Sequence, residues 1–241
     1  MPVTLAPRPW ESGWLGKSAF ALELTPPWPD PDALTRALEA LPRPNFVSLR
    51  IPATAFEPRA LVSACGFLLI ETYMVLERPV DPAASPQPRV RLATPDDADA
   101  LAAVAADSFA SDRFHRDPAI PTAVADHSRA LWLRNAITDP GKQVIVAGDP
   151  VDPEARAGFL IARGGHGCHV LDLMAVARDH RRRGIGRALT DHFFYLARAA
   201  GATRAQVGTQ DVNAASLNLY IGAGFRHAEA RYTFHRHGGA R

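Results

Sequence analysis

Residues Arg181–Thr190 read RRRGIGRALT. Three arginines and two glycines stand directly before a helical run, in which Ile185, Leu189, Phe193, Leu196 and Ala200 recur at helical spacing. Directly upstream, HVLDLMAV (169–176) is an apolar run of strand length. A strand, a glycine-rich turn and a helix N-terminus gather unpaired backbone N–H groups around one point. The helix dipole adds partial positive charge there, so phosphate is the natural guest. Gly184 and Gly186 are expected to admit such a ligand, because a Cβ would stand in its way. A nucleic-acid patch and a plain solvated turn are the competing readings of the same charges.

The rest of the chain decides against the nucleic-acid reading. Over 241 residues the formal net charge is only +2, so the arginines are a local feature. No basic face interleaved with aromatics is visible, as a base-stacking surface would require. The composition, 47% hydrophobic and 22% charged, is that of an ordinary globular protein. Cys65 and Cys168 form no CxxC pair and sit in apolar segments, which suits buried free thiols in a reducing compartment. MPVTLAPRPW lacks the apolar run of a secretory leader, and FLLI and FALEL are far too short to cross a bilayer. The expectation is a cytoplasmic protein with no membrane and no nucleic-acid partner.

RPVDPAASPQP (78–88) has no hydrophobic period and reads as a linker. It predicts a small α/β domain over 1–77 and a larger one over 89–241. In the first, strands are expected at 18–24, 45–51 and 67–77, with helices at 30–41 and 57–66. In the second, strands are expected at 90–93, 142–148, 156–163, 168–176, 204–210 and 229–236. Helices fall between them at 95–108, 122–137, 185–200 and 213–222. The order predicts a mixed α/β (α+β) sheet covered by helices. No internal repeat is visible in the letters.

The turn is neither a Walker motif, since no Lys-Ser/Thr follows the second glycine, nor a GxGxxG fingerprint, since the third glycine is absent. It fits Arg/Gln-x-x-Gly-x-Gly/Ala, through Arg181, Gly184 and Gly186. Downstream, TQDVNAASLNLYIGAGF supplies Asn213, Ser216, Leu219, Tyr220, Gly224 and Phe225. Asn213 is placed to cap a helix and Tyr220 lies about two turns along it. Gly224 is placed to end that helix. Together the two motifs resemble the GNAT superfamily of acyl-CoA N-acyltransferases, in which the first is the pyrophosphate loop and the second reads Asn-x-x-Ala/Ser-x-x-Leu-Tyr-x-x-x-Gly-Phe.

That resemblance implies acetyl-CoA as co-substrate, no metal, and binding between two splayed central strands. It assigns cofactor contacts to Met174, Ala175 and Val176 on the strand edge, and to Arg181, Arg182, Arg183, Gly184, Ile185, Gly186 and Arg187 in the loop. Asn213 and Ser216 complete that set. It makes Tyr220 the proton donor to the departing sulfur. Many relatives carry a glutamate base five residues before the Asn motif, but here that position is Gly208. Asp172 and His115 are left as candidate bases.

SFASDRFHRDPAIP (108–121) mixes aromatic, His, Arg and Asp residues as a ligand-contacting loop would. Its Arg-Phe-His-x-Asp run, and Trp10, Glu11, Ser12 and Gly16 near the start, resemble the dTDP-fucosamine acetyltransferase group. This implies a nucleotide-linked amino sugar as acceptor, contacted by Arg113, Phe114, His115 and Asp117, and a homodimer. A GNAT enzyme acting on a protein N-terminus, a lysine or another small amine is the alternative. A non-catalytic acyl-CoA-binding module is the other.

Overall fold

The expected strands and helices of 18–238 are present, and local chemistry sets their ends. The computed structural model describes residues 3–165 and 167–239. In chain order the elements are β1 (Thr4–Pro7), α1 (Pro9–Leu15), β2 (Ser18–Glu23), α2 (Pro31–Glu39), β3 (Asn45–Pro52), α3 (Glu57–Ala64) and β4 (Leu68–Pro79). Then come β5 (Val90–Leu92), α4 (Ala98–Ser108), α5 (Thr122–Thr138), β6 (Gln143–Ala147), β7 (Gly158–Gly165) and β8 (Cys168–Val176). The chain closes with α6 (Ile185–Ala199), β9 (Arg204–Gln210), α7 (Ala214–Gly222) and β10 (Arg226–Gly238). Asp30 accepts from the Ala33 N–H at the start of α2, and Asn213 accepts from the Ser216 N–H at the start of α7. The start of the helix expected at 95–108 is a 3-10 turn, Pro95–Asp97. There the buried Asp97 carboxylate receives the Thr94 N–H and two arginines, Arg91 and Arg156. β1 and α1 have no counterpart in the sequence reading, which began at residue 18.

The ten strands of the described residues share one sheet, in the order β1-β2-β3-β10-β4-β9-β8-β7-β6-β5. Among the described residues, only the β2–β3 and β8–β9 pairs are parallel. The sheet does not pause at the expected linker. β4 extends to Pro79 and lies between β9, from the C-terminal part, and β10. The order β2-α2-β3-α3-β4 is the order β8-α6-β9-α7-β10 over again, and about the β4–β10 pair β3, β2 and β1 on one side answer to β9, β8 and β7 on the other, with β6 and β5 added beyond. The structure therefore contains the repeat that the letters did not reveal. Its two halves exchange their last strands, since β4 pairs with β9 and β10 pairs with β3. A trace survives in LVSACGF (61–67) against LYIGAGF (219–225), where Gly66 and Gly224 both take left-handed φ, +81° and +90°.

Helices cover both faces. On one, Leu189, Phe193 and Phe225 pack with Ile145, Leu160 and Val207, and α2 and α3 pack with β2, β3 and Phe234. On the other, α4 and α5 cover Val144, Phe159 and Leu173, while Phe46, Phe114 and Ile120 fill the space beside α1. Burying each large apolar side chain is worth about 1.5–3 kcal/mol. The middle of this second face, over β4 and β10, is left open, and it becomes the site.

Candidate active site

β8 and β9 are hydrogen-bonded only from Cys168–Leu171 to Arg204–Val207. The cause is a bulge. Leu171 faces Ala162 on β7 but Leu173 faces Ile161, so Asp172 is an extra residue in β8. A bulge bends its strand and increases its twist. Beyond it β8 leaves β9, and the edges Asp172–Val176 and Gly208–Gln210 face one another without pairing. Met174, Ala175 and Val176 thus present an open strand edge, suited to pairing with an extended amide-bearing chain.

At the end of β8 the chain enters the arginine–glycine turn. Arg182 (φ +65°) and Gly184 (φ +81°) are both left-handed, and α6 begins at Ile185. Among the described residues, no acceptor is found for the backbone N–H groups of residues 182–187. Successive free N–H groups in such a turn form an anion-binding concavity. A Cβ on Gly184 would point into open space with no protein atom within 4 Å. These residues fit a pyrophosphate. Gly186 does something else: a Cβ there would meet Leu219 Cδ2 at 3.3 Å, so this glycine seats α6 against α7. The guanidinium groups also divide. Arg181 bonds the Val176 carbonyl, Arg183 bonds Asp149, and Arg187 bonds Asp191 and the Gly222 carbonyl. Arg182 has no side-chain partner among the described residues.

Tyr220 projects from α7 to the floor of the splay and is 4% exposed. Burial, and then the neighbouring Tyr73, raise its phenol above the ordinary tyrosine value, so it keeps its proton. Asn213 and Ser216 line the same space. Asp172 points into it too, with its carboxylate held by Arg163 at 2.9 Å and Lys142 at 3.8 Å.

From the splay a cavity of about 790 Å³ runs across the open part of the sheet. Its floor is Gly208, Tyr73, Glu71, Thr233 and Arg50, and its roof is Trp10 and Glu11 of α1 with Arg129 and Trp132 of α5. Arg113 lines it, paired with Glu11 at 3.4 Å and stacked on Phe114. Burial, then Arg50, bring its guanidinium down to about 10, still charged at neutral pH.

Of the other residues expected to touch substrate in this loop, Phe114 reaches the cavity lining with little exposed surface, and His115 and Asp117 face inward. Phe114 is 1% exposed, wedged between Trp14 and Phe46. His115 is no free base. Its Nδ1 lies 2.6 Å from Asp112 and its Nε2 2.9 Å from Asp126, so both nitrogens are engaged away from the cavity. Burial opposes its charge, yet Asp112 and then Asp126 raise its pKa, the wrong direction for a base at neutral pH. Asp117 is buried against His235 (2.7 Å) and His237 (2.8 Å). The RFHRD run therefore shapes the cavity wall, with Arg113 as its point of access.

Glu71 and Tyr73 escaped the sequence reading. Their signal was faint but present: in LLIETYMVL (68–76) Glu71-Thr72-Tyr73 interrupts an apolar strand, and Glu71 and Tyr73, two apart, face one side. Arg50, from β3, could be found only once β10 was known to bring β3 alongside.

A splayed parallel pair, a turn of free backbone N–H groups and a buried, protonated tyrosine thus stand together at one end of the sheet. Residues 106–225 match the acetyltransferase (GNAT) family. Members of it use acetyl-CoA. A GCN5-related N-acetyltransferase from Sphaerobacter thermophilus shares the fold with a TM-score of 0.63 at 16% identity, over 99% of this chain and 77% of that one. A conserved protein of unknown function from Staphylococcus epidermidis gives 0.64 at 14%, over 91% and 84%. A tandem GNAT protein from the clavulanic acid biosynthesis pathway gives 0.59 at 15%, over 92% and 76%. No curated protein matches the chain significantly. No helix among the described residues is long and apolar enough to cross a membrane.

Proposed function

We propose that this protein transfers the acetyl group of acetyl-CoA to the primary amine of a small polar molecule held in the cavity. One observation carries the reading: Asp172, Met174, Gly208 and Tyr220 belong at once to the splay and to the cavity wall. A thioester entering along β8 would meet an amine from the cavity there. Acetyl-CoA supplies the activated carbonyl and a thiolate leaving group. The residues 182–187 hold its phosphates, the β8 edge orients the amide arm, and the Tyr220 hydroxyl donates a hydrogen bond to the departing sulfur. Asp172, already clamped by Arg163 and Lys142, orders the mouth of the splay.

The roof of α1, α5 and the 109–114 loop favours a small acceptor over a protein lysine, and the volume suits one. Within that class the nucleotide-linked amino sugar remains the acceptor we favour. The Trp10 and Trp132 rings, 6.2 Å apart, offer apolar faces for a base or sugar. Arg8 and Arg113, both on the lining, suit an anionic group. The test is a mass-spectrometric acylation screen with acetyl-CoA over dTDP-4-amino-4,6-dideoxygalactose, glucosamine, spermidine and a lysine-containing peptide, with thiol release measured in parallel. Acetylation of the peptide alone would overturn the small-acceptor reading. Acetyl-CoA binding with no thiol released in the presence of any of these amines would leave a binding module.

A further inference from the structure

In the sequence, Gly208 stands where related enzymes carry a glutamate base. In the structure that space is occupied. A Cβ on residue 208 would overlap the Oη and Cζ atoms of Tyr73, so the phenol of Tyr73 lies where the side chain of residue 208 would begin. Tyr73 belongs to β4, the strand that the N-terminal half lends to the sheet beside β9. Its ring is held by the Arg50 guanidinium, 4.0 Å from the centroid.

Two residues along the same strand is Glu71, 3% exposed and on the same cavity floor. Its Oε1 accepts from Arg50 Nη2 and from Thr233 Oγ1, each at 3.0 Å. Its Oε2 is buried and has no hydrogen-bond partner among the described residues. A buried carboxylate oxygen with unused acceptor capacity costs stability unless a ligand completes it.

We propose that the exchanged strand β4 supplies the proton-accepting station of this acetyltransferase, with Glu71 receiving the ammonium proton of the acceptor and Tyr73 aiming its nitrogen at the thioester. The inference rests on the acetyltransferase reading above. The acceptor enters as R–NH3+, and Glu71 Oε2 takes one proton. The freed lone pair forms the C–N bond, the C–S bond breaks, and the second nitrogen proton leaves with the thiolate as the thiol. The net products are the N-acetyl amine, CoA and one proton, which Glu71 returns to solvent. Burial raises the Tyr73 phenol and outweighs the lowering by Arg50, so it stays protonated and acts by hydrogen bonding. The charged groups around the station are Arg50 from β3, Arg113 from the roof loop, Glu11 from α1, Arg129 from α5, Arg231 from β10 and Asp172 from β8. N-terminal residues thus become part of the chemistry.

The experiment compares wild type, Glu71→Gln and Tyr73→Phe, using acetyl-CoA and whichever of the four screened amines the wild type acetylates fastest. Folding is checked by thermal melts and acetyl-CoA affinity by calorimetry. Glu71→Gln should lose roughly 100-fold in kcat/KM at pH 7, the usual scale of a general base, with acetyl-CoA affinity unchanged. The loss should shrink towards pH 10, where the amine sheds its own proton. Binding of the amine to the CoA-loaded protein at pH 7 should weaken as well. Tyr73→Phe should lower kcat by about 10-fold and keep the wild-type pH profile. A loss in Glu71→Gln that is the same at every pH, or no loss, overturns the proposal while the wild-type turnover upholds the acetyltransferase reading. Absence of wild-type turnover overturns both. Gly208→Ala, which leaves Glu71 and Tyr73 in the chain but displaces the phenol, should reproduce the Tyr73→Phe defect even if that variant folds poorly.

Discussion

Replacing Tyr220 by phenylalanine isolates one atom. The ring packs 5.9 Å from Phe225 within the main core, and phenylalanine keeps that packing, so the melting temperature should change little. What is lost is the hydroxyl that the proposed function sets against the departing sulfur. A complete proton transfer from this group is unfavourable. An ordinary phenol has a pKa near 10 and a thiol one near 8.5, a gap worth about 2 kcal/mol. Burial widens it further, because it raises Tyr220. The hydroxyl therefore serves as a hydrogen-bond donor to developing negative charge. Such a bond is worth about 1.5–3 kcal/mol, which is roughly 10- to 150-fold in rate. Rapid-quench or thiol-release measurements should show kcat reduced by that factor, with acetyl-CoA affinity within about two-fold of wild type. Because the phenol is raised, wild-type kcat should show no alkaline decline from Tyr220 below about pH 10. A variant with turnover within three-fold of wild type would refute the reasoning and leave Tyr220 as a packing residue.

Gly184→Val should weaken acetyl-CoA binding by about ten-fold or more by calorimetry, since it fills the cradle and strains a left-handed turn. Gly186→Val should instead lower the melting temperature, because its added methyls collide with Leu219 and Val176. Arg113→Ala should raise the KM of the amine more than that of acetyl-CoA, whereas His115→Ala should cost stability by removing one of the buried Asp112's partners and leaving Arg129 as its only charged one; equal kinetic effects would undo that division. Stability should also fall on acidification between pH 6.5 and 4. Burial depresses His235 to about 4, so the unfolded chain binds a proton there that the folded chain refuses, a linkage of up to about 3 kcal/mol. Below about pH 4 the depressed carboxylates Asp97, Asp112 and Asp117 add to the loss. His115, raised when folded, contributes in the opposite sense and loses its share as pH rises through its folded pKa. Urea titrations across this range check the slope, and His235→Asn should flatten it.

The order of strands and helices from residue 18 onward, the anion-binding turn and the Asn–Tyr helix were legible in the sequence alone. Each is written in a few consecutive residues. Asn213 caps because its side chain reaches a backbone N–H three residues on, and Gly184 marks a left-handed turn whatever lies around it. Periodicity likewise reports only which side of its own element a residue takes, as it does for Glu71 and Tyr73. Tertiary pairing decided the rest. No local pattern states that β4 leaves its own half to lie between β9 and β10, and that exchange is what sets Tyr73 over Gly208 and joins Arg50 to Glu71. Nor could the letters RFHRD show which side chains face the cavity. His115 and Asp117 turn inward because Asp126, His235 and His237 are there to bind them, and those partners lie 11 to 120 residues away. A hydrogen bond is satisfied by whatever the fold brings within about 3 Å, and that distance is not encoded in sequence spacing.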